Sequence, residues 1–230
     1  MSEHAPTIEV RRLQGISYGE AYEHQKELVE ARIEGRIGDR LLLVEHEPVV
    51  TTGRGTSLEA AKDVDVPVFE IERGGEATYH GPGQMVVYPI LQLEEGRRDL
   101  HRYMRDLEEV IIRVLAEFDV EGHRDERNTG VWIGDQKVAS IGVAVRRWVT
   151  WHGFALNVHT DLDAFRSFNP CGLTPDTMTR LVDHAEIGPG LMLIEVLVVK
   201  HFCEVFGREL PPPAPPASSE DRFPPLPLIQ

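Results

Sequence analysis

The sequence predicts an α+β protein in which a mixed β-sheet carries packed helices. Two patterns lead to this reading: apolar residues at three- and four-residue spacing over residues 100–118, and three extended segments between residues 130 and 158 with no helix separating them. Elsewhere strands and helices are interleaved without strict βαβ alternation, which favours a mixed sheet over a Rossmann or barrel arrangement. At 230 residues one continuous core suffices, so residues 1–210 are read as a single domain and residues 211–230 as an extended tail.

Residues 7–13 form a short strand candidate, and residues 18–32 a helix with Tyr18, Ala21, Leu28 and Ala31 near helical spacing. The apolar run at 40–45 and the β-branched run at 48–52, closed by Gly53-Arg54-Gly55, read as two strands around a loop. Residues 68–71 and 85–93 are further strands, separated by a stretch rich in glycine. The helix over 100–118 presents Tyr103, Leu107, Val110, Ile111, Val114 and Leu115 on one face. Strands at 130–133, 136–145 and 149–158 follow, with Gly134-Asp135 marking a tight turn between the first two. Thr174-Pro175 predicts a helix start and a helix to about residue 184, and a nearly all-apolar helix fills 191–206. The prolines beyond Leu210 cannot sustain helix or central strand and leave a solvated tail or a proline-rich ligand for another domain.

Composition narrows the function classes. The chain has 41% hydrophobic and 27% charged residues, ordinary for a packed globular protein. Its formal net charge of −14 opposes nucleic acid and anionic membranes, so neither is an expected partner. The N-terminal residues carry no basic region followed by an apolar run, and the longest apolar stretch is broken by Glu195, Lys200 and Glu204, so a cytoplasmic location is expected. Cys171 and Cys203 read as free thiols.

Four places could carry chemistry. The loop Arg73-Gly74-Gly75-Glu76-Ala77-Thr78-Tyr79-His80, continuing through Gly81-Pro82-Gly83-Gln84, has small residues that let backbone approach a ligand. It lacks GxGxxG and GxxxxGK[ST] and precedes a strand, so no phosphate site is inferred. Lys137 sits just after a turn, at the entry of an apolar strand; pointing inward it would be available as a base, pointing outward it is solvated. Cys171, between Pro170 and Gly172 and just before the expected helix at Thr174, is the candidate nucleophile, with the helix N-terminus favouring its thiolate. Cys203 lies at helical spacing with Val196, Val199 and Phe206 and reads as a core thiol. His80 and His152 each neighbour glycine and could line one pocket; the histidines show no metal-ligand spacing, and no metal is expected.

Together the RGGxxTYHGPGQ loop with Tyr88-Pro89, the segment 137–142, the stretch 151–157 and Asn169-Pro170-Cys171-Gly172-Leu173 resemble the lipoyl(octanoyl) transferase family, with 42–46 and 52–55 also in register. The resemblance covers about residues 8–207. It implies the fold of the biotin and lipoate protein ligase catalytic domain, and no cofactor. It implies that Cys171 takes an octanoyl group from octanoyl-acyl carrier protein, that Lys137 lowers the thiol pKa and relays protons, and that the lysine of a lipoyl domain then accepts the acyl group. Acceptors would be lipoyl domains of 2-oxoacid dehydrogenase complexes and the glycine cleavage H protein. Substrate binding would fall to Arg73 through His80, to Ser140, Ile141 and Gly142, and to Gly153, Phe154 and Ala155. A monomer is expected. The rivals are an ATP-dependent lipoate or biotin protein ligase of the same fold, which needs no cysteine nucleophile, and a non-catalytic protein that binds acyl carrier or lipoyl domains. Arg97-Arg98 and Arg146-Arg147 are candidate contributors to a local basic patch for acidic partners.

Overall fold

The computed structural model describes residues 5–54, 64–167 and 173–212. Strands β1 (Ile8–Leu13), β2 (Asp39–Val44), β6 (Gln84–Ile90), β9 (Val149–Asn157), β8 (Gln136–Arg146) and β7 (Gly130–Ile133) form one six-stranded sheet in that spatial order. Its β1–β2 pair is parallel and its other pairs antiparallel, so the sheet is mixed as expected. A second sheet of three short strands, β3 (Val49–Thr52) flanked by β4 (Val68–Glu70) and β5 (Thr78–His80), lies beside it.

Three helices cover the large sheet. Helix α1 (Tyr18–Ile33) begins in a capping box, with Ser17 Oγ accepting from Glu20 N and Glu20 Oε2 accepting from Ser17 N. It buries Tyr18, Ala21, Gln25 and Val29 against β6 and β9. Helix α2 (Leu100–Ala116) is capped by Asp99 and buries the face read from its spacing. Helix α3 (Leu191–Phe206) matches the expected bounds and ends where Gly207 adopts φ 59°. Helices α2 and α3 pack with Leu41, Leu43, Val87 and Leu156 in the main core. Full burial of a leucine or phenylalanine there contributes about 1.5–3 kcal/mol.

The helix expected over 174–184 does not form. Two short 3₁₀ turns, Pro175–Thr177 and Leu181–Asp183, flank an extended Met178 at ψ 142°. The reason is competition for backbone groups: Thr179 N donates to Lys137 O at 3.0 Å, and Thr179 O accepts from Asn157 Nδ2 at 2.9 Å. Those sheet-edge bonds replace the helical ones. Thr174 does not cap; its hydroxyl lies 3.0 Å from that of Thr177. The helix dipole invoked to favour a thiolate at Cys171 is therefore withdrawn, since three residues of 3₁₀ turn do not make such a dipole. Cys171 itself, and the proline-rich tail from residue 213, lie outside the described residues.

Candidate active site

The site grows from the β8–β9 ribbon. Gly142 pairs with Gly153 and Ser140 with Ala155, and the missing side chains let other backbone come close. A Cβ on Gly142 would lie 2.8 Å from Arg73 Cδ and 3.2 Å from Gly74 O. The glycine-rich loop thus runs along the edge of β8, where Gly74 N donates to Val143 O at 3.0 Å. Between loop and sheet lies a cavity of about 280 Å³.

Every residue of the three expected binding segments borders this cavity except Ala77 and Tyr79. Those two turn away, as the period of two in an extended chain requires. Both are buried with Val50, Phe165 and Met178 in a separate apolar cluster. Thr78 and His80, on the opposite face, border the cavity.

His80 and His152 border the same cavity. His152 gets there by a break in strand geometry: its φ of 54° turns the ring to the side of its neighbour Trp151, with centroids 4.3 Å apart. Alternating strand side chains could not stack in this way. The left-handed backbone is held by Gln25, whose Oε1 accepts from His152 N at 3.0 Å. Among the described residues His152 Nε2 has no hydrogen-bond partner.

The cavity's lining is polar in part, with Arg73 and the exposed Glu76 as its charged members. Burial pushes His46 and His152 down to about 3 and His80 down to about 4, so all three rings are neutral at pH 7. Gln84 donates its amide hydrogens to Tyr79 O and Asn157 Oδ1, which leaves Gln84 Oε1 to accept from His80 Nδ1 at 2.8 Å. That fixes the His80 tautomer. Burial raises the Tyr18 and Tyr88 hydroxyls well above their ordinary range. Arg73 donates to Thr51 O, Thr51 Oγ1 and Gly74 O at 2.9, 3.0 and 3.1 Å, so its guanidinium serves the loop's own frame. Ile71, Val86, Ile141 and Phe154 supply apolar surface. Such a wall suits an uncharged, largely aliphatic ligand.

Lys137 is fully buried, with Nζ donating to Asn128 Oδ1 and lying 6.0 Å from the Trp132 ring centroid. Asn128 lines the cavity and accepts from Nζ, whereas Lys137 itself does not line it. A β-bulge aims the side chain: Val131 pairs with Ala139 and Trp132 with Lys137, leaving Val138 as the extra residue on β8. Cys203 is partly buried, packs against the main core, and is pushed up to about 11 by burial. It belongs to the core and is far from nucleophilic. Sequence reasoning missed Asn128, Gln25 and Tyr18 as parts of the site; a polar loop residue, a helical glutamine and a helical tyrosine carry no local signal for a distant cavity.

Comparison with known proteins bears on this architecture. Residues 17–203 match the lipoyl protein ligase A/B catalytic domain. An octanoyltransferase of Rubrobacter xylanophilus is 46% identical over 219 residues, covering 90% of this chain and 97% of that one. The chain belongs to the octanoyltransferase family. A Nostoc octanoyltransferase is 50% identical over 202 residues, covering 85% of this chain and 90% of its own length. The membership makes the chain an acyltransferase that serves protein lipoylation. Among solved structures, lipoate-protein ligase A bound with ATP superposes with a TM-score of 0.70 at 15% identity, covering 90% of this chain and 87% of that one. Biotin protein ligase from Aquifex aeolicus in complex with biotin and ATP gives 0.56 at 13% identity, covering 87% and 70%. At such identities these two speak for the shared fold alone. Among the described residues no helix is long and apolar enough to cross a membrane.

Proposed function

We propose that the octanoyl group travels in two steps, from the phosphopantetheine thioester of an acyl carrier protein to Cys171, and from Cys171 to a lysine of a lipoyl domain. The Cys171 thiolate attacks the thioester carbonyl, and the tetrahedral adduct expels the pantetheine thiolate, which takes up a proton. The acceptor amine then attacks the acyl-cysteine, passes a proton to the now neutral Lys137 and expels the Cys171 thiolate. Lys137 takes the thiol proton in the first step and returns one to the departing thiolate. The thioester carries the activation, so no nucleotide is consumed. Acceptors are lipoyl domains of 2-oxoacid dehydrogenase complexes and the glycine cleavage H protein.

The observation that supports this most is a fully buried lysine whose Nζ donates to Asn128, a residue of the cavity wall. A cation so placed is costly unless it acts on a developing anion or a thiolate. Intact-protein mass after mixing wild type and Cys171→Ser with octanoyl-acyl carrier protein, without ATP, tests the scheme. A hydroxylamine-labile octanoyl adduct on wild type alone, discharged on adding a lipoyl domain, is the expected result. Transfer that requires free octanoate and ATP, and that survives Cys171→Ser, would overturn it in favour of a ligase.

A further inference from the structure

The route by which Lys137 reaches its place is built by residues that the two-step scheme leaves without a task. Its aliphatic stem crosses the bare Cα of Gly130: a Cβ there would lie 2.6 Å from Lys137 Cε and 2.2 Å from Ala139 O. Gly130 adopts φ 143°, a backbone that L side chains avoid. At the end of this channel Nζ meets Asn128 Oδ1.

Asn128 is fixed from two sides. Its carbonyl accepts from the Trp132 indole N–H at 3.2 Å, within the side chain that also flanks the ammonium. Two residues on, Gly130 N donates at 3.3 Å to Oε1 of Glu108, a carboxylate only 1% exposed on α2. The other oxygen of Glu108 accepts from Arg105 at 2.8 Å and from Arg124 Nε at 3.1 Å. A buried carboxylate bound to two arginines is anchored, and it anchors the Asn128–Gly130 turn to the helix. The carboxylate stands behind the turn, and the amide of Asn128 is what the turn presents to the lysine.

We infer that Asn128 is a positioning residue for Lys137, its amide oxygen aiming the ammonium at the cavity without supplying a counter-charge that would hold the proton there. An amide oxygen accepts a hydrogen bond as well as a carboxylate does in geometry. A carboxylate would in addition favour the charged lysine by direct attraction in a buried site. A group that must give and take a proton in each half-reaction is better served by the neutral acceptor. The inference rests on the proposed role of Lys137 as the proton-exchanging partner of Cys171.

The test uses the full chain, wild type and the variants Asn128→Asp and Asn128→Ala, labelled with ¹³Cε-lysine. The lysines are Lys26, Lys62, Lys137 and Lys200, so the Lys137 signal is assigned by its loss in Lys137→Arg. In Asn128→Asp the Lys137 titration moves to higher pH by at least one unit, about a tenfold gain in proton affinity, and the acid limb of the octanoyl-transfer profile moves with it. In Asn128→Ala kcat falls about tenfold with KM little changed, the mark of lost aim rather than lost binding. A Lys137 titration and a transfer profile both unchanged in Asn128→Asp would overturn the positioning role. A titration that moves while the transfer profile stays in place would overturn the proton-exchange reading of Lys137 itself, and the positioning role with it.

Discussion

The Tyr88 hydroxyl lies 2.8 Å from His46 Nε2, and both residues are buried. Tyr88, from the middle of β6, borders the cavity and His46 comes from the loop after β2, so one hydrogen bond ties that loop to the sheet at the cavity wall. His46 Nδ1 has no partner among the described residues, which leaves the tyrosine as the contact that satisfies the ring. Tyr88→Phe therefore strands a buried imidazole and costs about 1–3 kcal/mol. Adding His46→Leu to Tyr88→Phe removes the stranded group and recovers part of the loss. Chemical denaturation of the two single variants and the double variant measures the coupling, and strictly additive losses would show that the contact carries no energy.

The same ring and its neighbours make stability depend on pH in a stated direction. His46 and His152 fall to about 3 and His80 to about 4 in the folded chain, chiefly through burial, against 6.5 when unfolded. Above about pH 7.5 the rings are neutral in both states and contribute no slope. As pH falls from 6.5 toward 4, the unfolded chain takes up protons that the folded chain refuses, and stability is lost. Each histidine contributes up to about 1.4 kcal/mol per pH unit in that window. Unfolding free energies measured at half-unit steps from pH 7.5 to 4.5 should start nearly flat and then decline. A variant with His152 replaced by Gln should decline less steeply, and an identical slope would remove His152 from the account.

What the sequence made legible follows from how local each signal is. Helix α2 announces itself because seven buried residues repeat on one face, and α3 because an apolar run ends in Gly207. The glycine-rich loop was readable as either a close-approach segment or a plain Gly-Pro turn, and the Gly74 N to Val143 O bond favours the first. The turn between β8 and β9 was readable in place but not in conformation: Arg147 and Trp148 take φ 49° and 64°, which usually selects Asn or Gly. The aligned strands enforce it despite the residue types. The break at His152 is equally silent, because its acceptor is Gln25 on another element, far away in sequence. The failed helix at 174–184 shows local capping chemistry losing to the Lys137 carbonyl on β8 and the Asn157 side chain on β9, which no window of sequence contains.

Ala155 offers a way to probe what the cavity holds. It lies near the C-terminal end of β9, paired with Val86 and Ser140, and borders the cavity while remaining buried. Replacement by leucine pushes three more carbons into the space where an acyl chain would lie. Transfer of octanoyl groups should fall by roughly ten- to a hundred-fold, whereas butanoyl transfer should be much less affected, since a pocket registers single methylenes at about 1–3 kcal/mol. The measurement is kcat/KM for butanoyl, hexanoyl and octanoyl donors, with thermal melting as a check on folding. Equal loss at every chain length would mean that this wall does not meet the acyl chain.

Gly53 tests the loop frame from the outside. It follows β3, and a Cβ on it would lie 2.3 Å from Gly75 O and 2.9 Å from Arg73 O, so the glycine-rich loop can pass only over a residue without a side chain. Arg54 N reinforces the crossing by donating to Arg73 O at 3.3 Å. In Gly53→Ala the loop backbone must retreat, since a carbonyl oxygen cannot rotate away as a side chain would. The overpacking costs about 1–3 kcal/mol in stability, and retreat of the loop opens the wall formed by Gly74 and Glu76. Weaker binding of the acyl donor is then expected, with KM raised at least about tenfold and kcat changed less, because Lys137 stands on a different strand. Gly96→Ala is the control: nothing lies within 4 Å of its Cβ, and melting and kinetics should stay at wild-type values. If Gly53→Ala lowers kcat and leaves KM unchanged, the loop serves the chemical step rather than the hold on the acyl chain.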